Sequence, residues 1–151
     1  MRALLDINVL IALLDADHPH HAWSARWLKA NVRHGWASCP LTQNGCVRIM
    51  SQPGYPNAFP AGGIMQRLRE ATSHAAHRFW PDDLSLLDAR AVDGDQIHGP
   101  RQVTDVYLLA LAVKHGGRFV TFDGGIGLSA ARGATAKNLL ILKSEPPQEN
   151  P

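Results

Sequence analysis

Short apolar runs alternate with stretches of helical periodicity along most of the chain. The first run, Arg2 to Leu5, predicts a strand. Asp6 and Asn8 interrupt it, and Val9 to Leu14 resumes with apolar residues too continuous for a surface helix, so a buried helix is expected over residues 8–15. The polar turn Asp15-Ala16-Asp17-His18-Pro19 ends it. A second helix is expected from His20 to Arg33, where Ala22, Trp23, Trp27 and Ala30 fall near the spacing of one face, and Gly35 stops it. Trp36 to Cys39 predicts strand two. Pro40 stands where a helix can begin, and residues 41–51 predict a third helix with Leu41, Cys46, Val47 and Met50 inward and Gln43, Asn44 and Arg48 outward.

From Gln52 to Pro60 three prolines and a glycine predict a loop, whose Tyr55 and Phe59 either stack on a base, dock a partner or pin the loop to its own core. A helix is expected over residues 61–74. An irregular third strand is expected from Arg78-Phe79-Trp80-Pro81 and Leu84-Ser85-Leu86-Leu87, followed by a loop from Ala91 to Pro100. Gln102 to His115 has the clearest helical pattern, closed by Gly116-Gly117. Its apolar face holds Leu108, Leu109, Ala112 and Val113, and Asp105, four residues before Leu109 and seven before Ala112, shares that face. Residues 118–122 predict strand four, ending at Asp123 before a glycine-rich turn, and residues 139–142 predict strand five.

Alternation of short strands with helices predicts a three-layer α/β/α domain with a mostly parallel sheet of about five strands. One such domain is expected over residues 1–143, with a disordered tail over residues 144–151, where three prolines fall. No apolar stretch approaches the roughly 20 residues of a bilayer span, and no secretory pattern is seen, so a cytoplasmic protein with no membrane partner is expected. Cys39 and Cys46 then read as buried thiols. Net charge is only +2, but between Asp17 and Glu70 there is no acid, while Arg26, Lys29, Arg33, Arg48, Arg67 and Arg69 all fall there. Such a segment either attracts a polyanion or forms ordinary solvated helix faces.

Three acids stand out by position. Asp6 and Asp123 each close an apolar strand, and Asp105 faces inward near the start of the helix that leads into strand four. Taken singly, each could be a helix cap, a favourable first-turn charge or a turn residue. If strands one and four are neighbours where the strand order reverses, the three converge in the crevice beyond the strand ends. Three carboxylates in one crevice repel one another, and a hard divalent cation, Mg²⁺ or Mn²⁺, resolves that repulsion where zinc would want His or Cys.

Two stretches, LLDINVLIALLDADHPHH over residues 4–21 and TDVYLLALAVKHGGRFVTFD over residues 104–123, together with CPLTQNGCVRI over residues 39–49, resemble a PIN-domain ribonuclease of the VapC toxin type. By that resemblance Asp6 and Asp105 are the principal metal ligands, Asp123 a further acidic ligand, and Asn8 and Thr121 supporting polar groups. It also implies metal-assisted hydrolysis of RNA, a homodimer, and a cognate antitoxin whose basic tail enters the acidic crevice. The family's usual acid in the helix after strand two is missing, since Gln43-Asn44-Gly45 stands there. Asn44 can offer a carbonyl oxygen but no charge, so one well-held metal is expected.

Two rivals remain at this point. A non-catalytic PIN module that binds RNA or antitoxin would account for the missing acid. A phosphatase of the haloacid dehalogenase type would account for the first motif, although that chemistry needs a second Asp where Asn8 stands.

Overall fold

The computed structural model describes residues 1–143; the expected tail at 144–151 lies outside them. Strand β1 (Ala3–Leu5) is fully buried, and its apolar run is broken by Asp6, whose carboxylate caps helix α1 (Ile7–Leu14) by accepting from the Ile7 amide at 2.7 Å. Helix α2 (His21–Asn31) follows and tightens into a 3₁₀ turn at Val32–His34 before Gly35, whose positive φ of 76° turns the chain into strand β2 (Trp36–Ser38). Helix α3 (Pro40–Met50) begins on its proline, and the Thr42 hydroxyl oxygen accepts a hydrogen bond from the Cys39 amide at 3.0 Å. Helix α4 (Ala61–Thr72), strand β3 (His77–Phe79), helix α5 (Val103–Lys114), strand β4 (Arg118–Thr121) and strand β5 (Leu139–Ile141) complete the domain.

The sheet has the order β3-β2-β1-β4-β5, and all four pairings are parallel. From β1 the chain steps outward to β2 and β3, then α5 carries it back across to β4 and β5. The order therefore reverses between β1 and β4, which pair Leu5 with Val120 at the ends nearest the crevice. Helices α1 to α4 cover one face, packing Val9, Leu10, Trp27, Cys46, Ile64 and Leu68 against Leu5 and Val120. Helix α5 and the segments around Val92 and Ala130 cover the other, over Leu4, Ala37 and Phe119. Full burial of side chains such as Leu4, Leu5, Phe119 and Val120 contributes about 1.5–3 kcal/mol each, which makes the middle of the sheet a rigid base for whatever stands on its edge.

The elements expected from the pattern are present within a few residues of their predicted ends, with one correction. Leu84 to Leu87 forms no strand. The segment is drawn instead to the end of α5, where Lys114 donates to the Asp83 carbonyl, His115 Nε2 lies 2.9 Å from Asp83 Oδ1, and Trp80 stacks on His115. Leu87 is left 91% exposed. The apolar run there covers the edge of a core without entering the sheet. The loop expected over 91–100 contains a single 3₁₀ turn, Gly94–Gln96.

Candidate active site

The backbone amide of Asp6 donates to the Val120 carbonyl at 2.9 Å, continuing the β1–β4 ladder one residue past the strand, and this fixes the carboxylate at the rim of the crevice. Its two oxygens divide their work. Oδ1 caps α1, while Oδ2 accepts a 2.6 Å hydrogen bond from the buried Thr121 hydroxyl at the end of β4. Thr121 Oγ1 in turn accepts from the Asp123 amide at 3.1 Å, and Asp123 Oδ1 accepts from the Gly125 amide at 2.8 Å. A continuous hydrogen-bonded chain thus runs from β1 through β4 into the glycine turn. Asp6 is only 6% exposed, and burial raises its pKa against the opposing pull of the Thr121 and Ile7 hydrogen bonds.

Asp105 comes from the first turn of α5, where the helix dipole favours an anion, and it is half-buried as the periodicity requires. Burial, then the charges of Asp6 and Asp123, then a hydrogen bond to Asp123 push it up to about 7. The three acids picked out by position therefore meet in one crevice, from segments about 100 residues apart in sequence. Asp123 is the exposed member, at the mouth.

The donor set suits a hard cation. The Asn8 side-chain oxygen on the first turn of α1, two residues after Asp6, is buried without a hydrogen-bond partner, an orphaned acceptor. Among the described residues no group of three or more His, Cys, Asp or Glu forms a ready-made metal cage. A Mg²⁺-type ion needs less, since it is commonly held by one or two carboxylates with water and substrate phosphate completing the shell.

Asn44 is not brought into this cluster. It lies exposed on α3 and lines a groove between α3 and α4 together with Asp82. Its neighbour Gln43 points back toward the sheet and donates to the buried Ser38 hydroxyl at 2.9 Å, and Ser38 Oγ lies 2.8 Å from His77 Nε2. Burial pulls His77 below its usual range, favouring the neutral ring. A neutral hydrogen-bonded chain of Gln43, Ser38 and His77 thus occupies the part of the edge where a fourth acid was expected and not found. Sequence reading missed Ser38 and His77, and it could have found them only through their places at the end of β2 and on the edge strand β3. In the proline loop Tyr55 pins the chain, its hydroxyl donating to Asp15 at 2.5 Å, and Asn57 donates to Asp17 at 3.1 Å, while Phe59 stays 45% exposed with Arg67 over its ring.

The PIN domain family matches residues 3–130. Ribonuclease VapC44 of Mycobacterium tuberculosis is 51% identical over 142 residues, covering 94% of this chain and 100% of that protein. Ribonuclease VapC39 of the same organism is 47% identical over 135 residues, covering 88% and 96% respectively. Among solved structures, VapBC2 from Rickettsia felis, bound to a DNA fragment from its promoter, superposes with a TM-score of 0.59 at 11% identity and covers 96% of this chain and 100% of that one. VapC20 of Mycobacterium tuberculosis, a toxin that cleaves the sarcin-ricin loop, gives 0.54 at 14% identity over 82% and 91%. The two structural likenesses establish a shared fold. With the extent and identity of the sequence matches, the chain belongs to the PIN domain family, among its VapC proteins.

Proposed function

We propose that this protein is an endoribonuclease that hydrolyses RNA phosphodiester bonds with the help of Mg²⁺ or Mn²⁺, and that it acts in the cytoplasm as the toxin of a toxin-antitoxin pair. The convergence of Asp6, Asp105 and Asp123 on one crevice, with Asp105 raised to about 7 by burial and by its two neighbours, carries the reading. The names of its relatives as VapC ribonucleases support the substrate class. Asp6 and Asp105 would hold the cation, Asp123 would join them directly or through water, and Asn8 would contribute its unpartnered oxygen. A divalent ion held there supplies positive charge against the attacked phosphate and makes a bound water more acidic.

The chain's own residues do the rest. The Thr121 hydrogen bond aims Asp6 Oδ2, and the Ile7 amide aims Oδ1, so Asp6 cannot rotate away from the crevice. Asp123, tethered by Thr121 and Gly125, orients the attacking water and can take up its proton. The basic stretch between Asp17 and Glu70 draws the RNA backbone toward an otherwise repulsive site.

As partners we propose a cognate antitoxin, whose cationic tail would occupy the acidic crevice in place of the metal, and a second copy of the chain as homodimer. No helix among the described residues is long and apolar enough to cross a membrane. The deciding experiment incubates structured RNA with Mg²⁺ or Mn²⁺ and compares wild type with Asp6→Ala and Asp105→Ala. Cleavage by the wild type alone is the expected result, and equal cleavage by all three would refute the assignment.

A further inference from the structure

We infer that the groove between α3 and α4 is a subsite for one unpaired nucleobase of the RNA, recognised at its amino edge by the Asp82 carboxylate. The inference rests on the ribonuclease reading for its substrate class and extends it to the selection of sequence.

The groove encloses about 740 Å³ and combines apolar walls, Leu68 and Met65 among them, with the polar groups of Gln43, Asn44, Arg69 and Asp82. Met65 is left 47% exposed on this wall, a polarizable side chain of the kind that packs against a flat ring. Apolar walls with a few convergent polar groups are what a small planar ligand needs, and unstacked bases are recognised by stacking and by hydrogen bonds to their edges. All of α3, and α4 as far as Arg69, belong to the acid-free stretch that precedes Glu70. A phosphate backbone is therefore tolerated along the walls, and Arg69 offers it a partner.

Asp82 is the one carboxylate among the residues that line the groove. It enters from the loop after β3, close to the Cys39 thiol at the end of β2 and to the Tyr107 hydroxyl on α5, which feel its charge. A carboxylate accepts hydrogen bonds and cannot donate them. It selects cytosine, adenine or guanine, which carry exocyclic amino groups, over uracil, which presents a carbonyl at the corresponding position. Helix α3, one wall of the groove, is tied to the strand ends. Gln43 on its wall is bonded to Ser38 at the end of β2, and Gly45 packs so closely on Ile7, the residue after Asp6, that a Cβ there would lie 2.3 Å from Ile7 Cδ1.

The test measures equilibrium binding of cytidine and uridine hexanucleotides to the full chain without divalent metal, by fluorescence anisotropy. The two bases differ at C4, an amino donor against a carbonyl acceptor, and at N3, an acceptor against an N–H donor. Wild type should bind the cytidine hexamer about tenfold more tightly, the effect of one hydrogen bond to a charged group. Asp82→Ala should erase that preference while keeping the uridine affinity, which also shows that the variant is folded. Asp6→Ala should keep the preference while losing cleavage. Equal affinities in wild type, or a preference that survives Asp82→Ala, overturns the inference and leaves the groove to a protein segment. A wild type that shows the Asp82-dependent preference but cleaves no RNA with either metal refutes the ribonuclease reading and sustains the subsite.

Discussion

At the ends of β1 and β4, three carboxylates from distant segments crowd together, and one of them is held up near neutrality by the other two and by burial. Beside it, from the end of β2 back to the start of β3, the chain places Gln43, Ser38 and His77 in a neutral hydrogen-bonded row, backed by helices that carry arginines and no acid before Glu70. The two halves share one parallel sheet, so the contrast comes from side chains and not from backbone. It teaches that the site is electrostatically divided. The β1/β4 half crowds carboxylates together, and the β2/β3 half sets neutral groups beside arginine-bearing helices. A fourth carboxylate on α3 would have added to the first half at the expense of the second.

The largest expected effect comes from dismantling the acidic half. Asp6→Ala or Asp105→Ala should lower the RNA cleavage rate by about 10³-fold, the equivalent of losing several kcal/mol of charge stabilisation, as measured by gel-resolved initial rates. Next is the joint between the halves. Gly45→Ala drives a Cβ into Ile7, and because Ile7 starts the helix that Asp6 caps, it should lower unfolding stability by about 1–3 kcal/mol in urea denaturation. Activity should fall more steeply than stability explains. Adding charge to the neutral half is a smaller change. Gln43→Glu should tighten Mn²⁺ binding by about tenfold in calorimetry, while weakening the attraction for RNA at low salt.

The smallest effect is on stability against pH. The folded pKa of Asp105, about 7, lies above the ordinary carboxylate value, so between those two values the folded state binds more protons than the unfolded state. Stability should therefore fall as pH rises from about 4 through 7 and flatten above it. Asp105→Asn should flatten that slope, as followed by thermal unfolding across this range, leaving only the part due to the raised Asp6. A slope that persists unchanged would place the repulsion elsewhere.

Much of the acidic half was legible in the sequence because each residue sits on a periodic element. Asp6 and Asp123 interrupt apolar strand runs, and Asp105 falls on the buried face of the most regular helix. Topology then did what pattern could not, since only the parallel pairing of β1 with β4 brings them together. Thr121 was legible through resemblance, and its hydrogen bonds to both Asp6 and Asp123 give that role a physical basis. The neutral half was illegible for the converse reason. Ser38 and His77 are 39 residues apart, on strands of three residues each, and no local spacing predicts their contact. Asp82 reads as one of two acids in a loop. Leu84 to Leu87 misled because a short apolar run does not distinguish a strand from a segment lying over a core.

The central claim is that Asp6 and Asp105 jointly hold a divalent cation. Isothermal titration of Mn²⁺ into the full chain at pH 8, where Asp105 is ionised, tests it most directly. One equivalent bound by the wild type, with affinity at least about tenfold weaker in Asp6→Asn and in Asp105→Asn, is the predicted result. Wild-type affinity retained in both variants would contradict it.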